Sequence, residues 1–350
     1  MRSPLDVRPA VLAGPAPVSA AGPPLVTEIG PPPPLDPELA AALAPVADLL
    51  RTAPTRELLP LMRQQAPRCP PFAADELTRG GAFTLQERTV PGPPGAPDIS
   101  LLICLPTRAA RPTAALYRIH GGGMIVGDSR AGIAEVLDPA QELGLAVVSV
   151  EYRLAPETPH PGPVEDCYAG LEWLAAHAWE LGIDPDRLIV AGRSAGGGLA
   201  AGVALLARDR HGPALLGQLL MSPMLDDRND SVSARQLAGR SVWDRAANEF
   251  GWTCLLGADT GGAHVSAYAA PARAADLSGL APAFVDVGTA ETFRDEDVAY
   301  ASGIWQAGGV AELHVWPGGF HGFDTFAPGA HLSRDARAAR VAWLRRLTMS

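Results

Sequence analysis

Apolar and polar positions change rhythm three times along the chain. Up to Pro34 there is no period: proline, alanine and glycine dominate, and the stretch ends in Pro31-Pro32-Pro33-Pro34. That composition favours extended polyproline-like chain, so residues 1–34 are expected to form a flexible leader. From Leu35 the texture turns helical, with Leu39, Ala42, Leu43, Val46, Leu49 and Leu50 at helical spacing and a second helix predicted from about Thr55 to Gln65. Two strand-like runs, 82–89 and 99–105, flank Pro91-Gly92-Pro93-Pro94-Gly95 and predict an antiparallel pair. Beyond them, short apolar runs at 115–119, 146–150, 188–191, 218–221, 284–287 and 313–316 are separated by helical stretches. That alternation predicts an α/β fold with a mostly parallel, doubly wound sheet covered on both faces.

The expected organisation is a leader (1–34), a helical cap (35–80) and an α/β domain (81–350). Residues 226–257 break the rhythm with polar positions followed by Trp243, Phe250 and Trp252. They read equally as a second cap piece or as a connecting helix whose aromatics fill the core.

Composition narrows the partners. At 350 residues, 47% apolar and 19% charged, the chain can bury one large core with an added cap. A net charge of −10 without a long basic run argues against nucleic acid and anionic lipid and leaves a small-molecule substrate. The prolines after Met1-Arg2 interrupt any apolar signal region, and no run of about 18 apolar residues offers a membrane span. A cytoplasmic location is expected. Cys69, Cys104, Cys167 and Cys254 are scattered, with no C-x-x-C pair, and read as small buried hydrophobes. His160, His264 and His314 have no partners at metal-ligand spacing, so no metal is assigned.

The chemistry concentrates in three places. Gly192-Arg193-Ser194-Ala195-Gly196 follows a predicted strand and precedes a run of small residues. A nucleophile elbow needs this arrangement, with the serine on a strained strand-to-helix turn. Gly196-x-Gly198-x-x-Ala201 imitates a dinucleotide fingerprint, but reading that motif from the strand end puts Ser194 where its second glycine belongs. His120-Gly121-Gly122-Gly123 closes another strand, and the N–H groups of Gly122 and Gly123, with that of Ala195, are candidates for an oxyanion hole. A phosphate loop is the rival reading, and the missing Lys-Ser/Thr tail opposes it. His321, among glycines after the last strand, is the candidate base. His120 belongs to its loop and reads as structural. Between serine and histidine, Glu291, Asp295, Glu296 and Asp297 offer the carboxylate that would hold the imidazole; the others are expected to be caps, first-turn helix charges or surface residues.

These motifs, with Tyr152-Arg153-Leu154-Ala155-Pro156-Glu157, Phe293-Arg294-Asp295-Glu296 and His321-Gly322-Phe323, resemble those of the bacterial hormone-sensitive-lipase-like carboxylesterases from about Leu35 to Arg346. The resemblance implies an α/β-hydrolase fold and a cofactor-free serine carboxylesterase acting on short- to medium-chain acyl esters, with a helical cap over its site. It implies Ser194 as nucleophile, His321 as base and Gly122, Gly123 and Ala195 as oxyanion hole. Aligning the family's Asp-Pro-Leu-Arg-Asp-Glu on Glu291–Glu296 makes Glu291 the acid, with Asp295 in reserve. Arg193 departs from the family's usual aspartate or threonine and is expected to pair with a nearby carboxylate. Tyr152 to Glu157 is expected to be scaffold, and edge-strand homodimers occur among such enzymes. The same site could cleave an amide, a lactone or a deacetylation substrate, and a silent ligand-binding relative is the non-enzymatic alternative.

Overall fold

A computed structural model describes residues 29–46, 54–65, 74–109 and 112–349, of which Pro31 onward form one compact unit. An eight-stranded sheet runs through it: β1 (Phe83–Val90), β2 (Ile99–Pro106), β3 (Thr113–Ile119), β4 (Ala146–Glu151), β5 (Ile183–Arg193), β6 (Gly217–Met221), β7 (Ala283–Gly288) and β8 (Ala311–Trp316). The order across the sheet is β1-β2-β4-β3-β5-β6-β7-β8. β2 runs antiparallel to both β1 and β4, and every pair from β4 to β8 is parallel.

Two-sided burial follows from the period of two along each strand. In β2 and β3, Leu101, Ile103, Tyr117 and Ile119 enter one core, while Leu102, Cys104, Leu116 and Ala114 enter the other. The helices follow the same division. α1 (Pro37–Leu43), α2 (Leu59–Gln65) and α3 (Ala74–Leu77) precede the sheet. α4 (Ala134–Leu143) packs with the C-terminal helix on the face of Leu102, and α5 (Gly162–Leu181) and α6 (Ala195–Asp209) pack on the face of Tyr117. The remaining helices are α7 (Val232–Gln236), α8 (Arg245–Leu256), α9 (Arg294–Gln306), α10 (Phe323–Phe326) and α11 (His331–Met349).

The predicted strands all form, most of them one or two residues longer than their apolar runs; β5 extends furthest, from Ile183 to Arg193. The N-terminal helices are shorter than their patterns. α1 gives way to a 3-10 turn at Ala44–Val46, and Leu49 and Leu50 lie outside the described residues. α2 starts at Leu59, not at Thr55. Pro60 lacks the N–H that an earlier-started helix would need in its interior and is tolerated in a first turn, while Thr55 accepts from Leu58 and Leu59 and closes the preceding turn.

Both N-terminal helices lean on loops at the carboxyl ends of the strands. Asp36 caps α1 through its carboxylate, and its own N–H donates to Gly318 O at 3.1 Å. Leu39 then packs with Phe320 and Phe323, so α1 braces the segment that carries His321. On α2, Arg63 Nε donates to Ile125 O at 2.8 Å, and its other nitrogens reach Ala155 O and the Glu157 carboxylate. The Tyr152–Glu157 motif thereby ties α2 to the glycine loop after β3. It is anchored from beneath by Arg153 forked on the buried Asp166 carboxylate.

No helix among the described residues is long and apolar enough to cross a membrane. Cys104, Cys167 and Cys254 are buried thiols, and burial pushes Cys104 up to about 12. Cys69 lies outside the described residues.

Candidate active site

The loops after β3, β5, β7 and β8, at the carboxyl ends of these strands, carry the sequence-predicted residues; Ser194 stands against the glycine loop, where a Cβ at Gly121 would lie 3.5 Å from Ser194 Cβ, and His321 meets Glu291. Ser194 sits between β5 and α6 with φ of 57° and ψ of −126°, a left-handed strain that a side-chain-bearing residue rarely adopts without function. The strain is held by backbone bonds: Ser194 N–H donates to Met221 O at 2.9 Å, and Ser194 O accepts from Gly198 and Met224. The flanking glycines leave no room for a side chain. A Cβ at Gly192 would stand 2.1 Å from Gly196 O, and one at Gly196 2.2 Å from Ile119 O. Ser194 is buried, at 5% exposed.

The glycine loop after β3 folds back on itself, with Gly122 O accepting from Ile125 and Val126 at 3.0 Å each. Gly122 and Gly123 both take positive φ, and among the described residues no acceptor engages either N–H. Ala195, at the first position of α6, carries one of the N–H groups a helix start leaves unpaired. His120 does not face this cleft chemistry. It is fully buried, its ring stacks on Tyr152 at 4.1 Å between centroids, and Tyr152 Oη donates to His120 O at 2.9 Å.

Burial pushes the His120 imidazole down from 6.5 to about 4. The unfolded chain takes up this proton near pH 6.5 and the folded chain only near pH 4, so the contribution of neutral His120 is complete above pH 6.5 and is lost as the pH falls through that window. In full it amounts to about 3 kcal/mol. Urea unfolding between pH 6.5 and pH 4 should show a shallower loss of stability in His120→Gln than in wild type. Equal slopes would overturn this account.

His321 lies in the turn after β8, its ring edge-on to Phe293, and its Nδ1 is 2.5 Å from Glu291 Oε1. Glu291 is fully buried. Asp295 faces elsewhere: its carboxylate accepts from the N–H of Ser233 on α7 and from Arg294. Asp295, Glu296 and Asp297 are first-turn charges of α9, one of the expected roles, but Glu296 and Asp297 are buried and do not lie on the surface. The first turn of α9 lies under the loop that follows β6, where Glu296 Oε1 accepts from Leu225 N–H at 2.8 Å. Burial, reinforced by neighbouring carboxylates, pushes both acids well above the usual carboxylate range.

Arg193 meets two carboxylates, as expected, and joins a network that composition gave no means of tracing. Its Nε donates to Glu135 at 2.7 Å and its Nη2 to Asp324 at 2.9 Å. Asp324 also pairs with Arg340, whose guanidinium reaches Asp286 on β7. Burial alone would raise the Asp324 carboxyl, but the Arg193 and Arg340 guanidiniums outweigh it and hold that carboxyl well below the usual range. One ion network therefore runs beneath the elbow, the helix after His321 and the strand leading to Glu291.

Among the described residues no group of three His, Cys, Asp or Glu side chains is arranged to hold a metal ion. The 226–257 segment stands close to the glycine loop: a Cβ at Gly251 on α8 would lie 3.1 Å from Gly123 O, and Trp252 is fully buried.

Known proteins are similar to this chain in sequence and fold. Residues 116–325 match the family model described as the alpha/beta hydrolase fold. The carboxylesterase NlhH of Mycobacterium tuberculosis is 36% identical over 269 residues, which cover 75% of this chain and 82% of that protein. The solved structure named bacterial heroin esterase superposes with a TM-score of 0.82 at 40% identity, over 90% of this chain and 98% of its own. Human hormone-sensitive lipase is 39% identical over 102 residues, 29% of this chain and 10% of that protein. The chain belongs to the α/β-hydrolase family, in its bacterial hormone-sensitive-lipase-like branch, and is a carboxylic-ester hydrolase.

Proposed function

We propose that this enzyme hydrolyses short- to medium-chain carboxylic esters of small-molecule alcohols through a Ser194–His321–Glu291 triad and an acyl-enzyme. The observation that carries this reading is the 2.5 Å contact between His321 Nδ1 and a fully buried Glu291 carboxylate, carried by loops at the carboxyl ends of the same sheet whose β5 leads into a serine at φ 57°. A serine hydroxyl is a poor nucleophile until an imidazole accepts its proton, and the imidazole needs a partner on its far nitrogen to fix its tautomer.

The steps follow from those positions. Ser194 Oγ bonds to the ester carbonyl carbon as its proton passes to His321 Nε2. The carbonyl π electrons move onto oxygen, and the N–H groups of Gly122, Gly123 and Ala195 stabilise the oxyanion. When the intermediate collapses, the C–O bond to the alcohol breaks and His321 returns its proton to the departing oxygen. Water then repeats the sequence on the acyl-enzyme, with His321 as base, releasing the acid and restoring Ser194. Glu291 stays ionised and stabilises the transient imidazolium.

Purified enzyme with p-nitrophenyl acetate, butyrate and octanoate tests the reading, together with a fluorophosphonate that labels activated serines. Turnover of the esters, with the label found on the peptide carrying Ser194, is the expected result. Labelling elsewhere, or cleavage of none of the esters, would defeat the proposal.

A further inference from the structure

Trp243 packs against the glycine loop beside the elbow. A Cβ at Gly123 would lie 2.4 Å from Trp243 Cη2 and 2.7 Å from its Cζ2, so the benzo edge of the indole rests directly on the bare backbone of the glycine loop. From α8, a Cβ at Gly251 would meet Gly123 O at 3.1 Å and both Met224 Cε and Trp243 Cζ2 at 3.5 Å. Glycine loop, indole, α8 and the loop after β6 therefore converge on one spot. That spot is next to the elbow, since Met224 N–H donates to Ser194 O at 2.9 Å.

The ring is fixed at both ends. Trp243 Nε1–H donates to Asn248 Oδ1 at 3.3 Å, Asn248 Nδ2 to Asn229 Oδ1 at 3.1 Å, and Asn229 Nδ2 to Arg245 O at 2.8 Å. Both asparagines are buried, so each amide has one orientation that satisfies the relay. On the backbone side, Thr292 Oγ1 donates to Trp243 O at 2.6 Å, tying the tryptophan to the residue after Glu291. A side chain held this way is a wall and not a swinging gate.

Chemistry assigns the wall to the acyl side. In the tetrahedral intermediate, one substituent is Ser194 Oγ, the oxyanion faces the glycine loop and the leaving oxygen faces His321. The acyl chain takes the direction that remains, between the glycine loop and the loop after β6, where Trp243 and Met224 stand.

We propose that Trp243 closes the acyl pocket and sets its length limit, so that efficiency is highest for acetyl and propionyl and falls steadily toward medium-chain acyl groups. This rests on Ser194 acting as nucleophile, and it goes beyond that reading by naming what sets chain length. Fixed volume is an effective discriminator, because a chain that meets a rigid wall must displace it or bind out of register with the oxyanion donors.

Alkylboronic acids, which form tetrahedral adducts on an active serine with the alkyl group in the acyl position, read the wall in the wild type. Affinity should fall by at least about tenfold from propyl- to heptylboronic acid. In Trp243→Ala, the ratio of kcat/KM for p-nitrophenyl octanoate over acetate should rise by at least about tenfold, with Trp243→Phe in between. The ratio for hexyl over ethyl acetate, which varies only the alcohol, should stay put in the same variants. Should Trp243→Ala fail to fold, Trp243→Phe read on the same ester pair decides, a raised octanoate-to-acetate ratio supporting the wall and an unchanged ratio refuting it. Ester hydrolysis with a flat acyl-length profile, or an unchanged ratio in Trp243→Ala, would refute the wall and leave the esterase reading standing. Length-limited boronate binding without hydrolysis of any ester would do the reverse.

Discussion

Ser194→Ala should lower kcat for p-nitrophenyl ester hydrolysis by about 10⁶-fold, the cost of deleting the nucleophile from a serine triad. Glu291→Gln should lower it by about 10⁴-fold, because an amide in contact with His321 Nδ1 favours the wrong tautomer and leaves the imidazolium without its counter-charge. That loss corresponds to about 5 kcal/mol of transition-state stabilisation. Asp295→Asn separates the two acids that sequence order left in contention. Its carboxylate receives Ser233 N–H and Arg294, so the substitution should cost about 1–3 kcal/mol of stability and leave folded enzyme active. Stopped-flow or steady-state rates on the three variants, normalised to folded protein by circular dichroism, provide the check. If Asp295→Asn proved the crippled variant and Glu291→Gln did not, the triad acid would be reassigned.

What could be read in the chain beforehand follows the range over which each signal acts. The strands were legible because their apolar runs are local, and the elbow because strand, strained serine and flanking glycines fall within a few positions of each other. Glu291 was reached through family alignment and chain order, since four carboxylates in seven residues look alike until one of them meets an imidazole. Helix starts were less legible. Pro60 delayed α2 for a reason visible in the sequence, yet helical periodicity alone ran through it. Long-range polar pairings left no trace at all: Glu135 and Asp324 lie 58 and 131 residues from Arg193. Trp243 was noticed as an aromatic in an irregular segment, but its place against Gly123 comes from the way α8 crosses the glycine loop, which no residue pattern encodes. Glu296 and Asp297 misled for a related reason, because acids in a first helical turn usually face water and these sit under another loop.

Arg193→Met should be strongly destabilising, because it removes one partner from a largely buried ion network while roughly keeping the volume of the side chain. Asp324 is nearly inaccessible at 3% exposed, and the Arg193 and Glu135 side chains are largely covered at 12% and 11%. Deleting one partner of such a pair costs about 3–5 kcal/mol, mostly the penalty of leaving a buried charge unmatched. For a domain of this size that is a fall in Tm of roughly 5–8 °C. Arg193→Lys should recover part of the loss, since an ammonium can meet Glu135 or Asp324 but cannot fork between them. The pH dependence carries a sign of its own. Asp324, whose carboxyl is held low in the folded state by Arg193 and Arg340, stabilises the fold above its unfolded pKa of about 3.9, and that contribution is lost as the pH falls through its folded value. With Arg193 gone the folded pKa rises, so the variant should begin to lose stability at a higher pH than wild type. Turnover by the folded fraction should keep its pH profile, because the network braces the loops of Ser194, Glu291 and His321 from beneath and touches none of the three. A profile displaced by a pH unit or more in folded Arg193→Met would mean that the guanidinium acts electrostatically on the imidazole, and that its role is more than to hold the elbow in place.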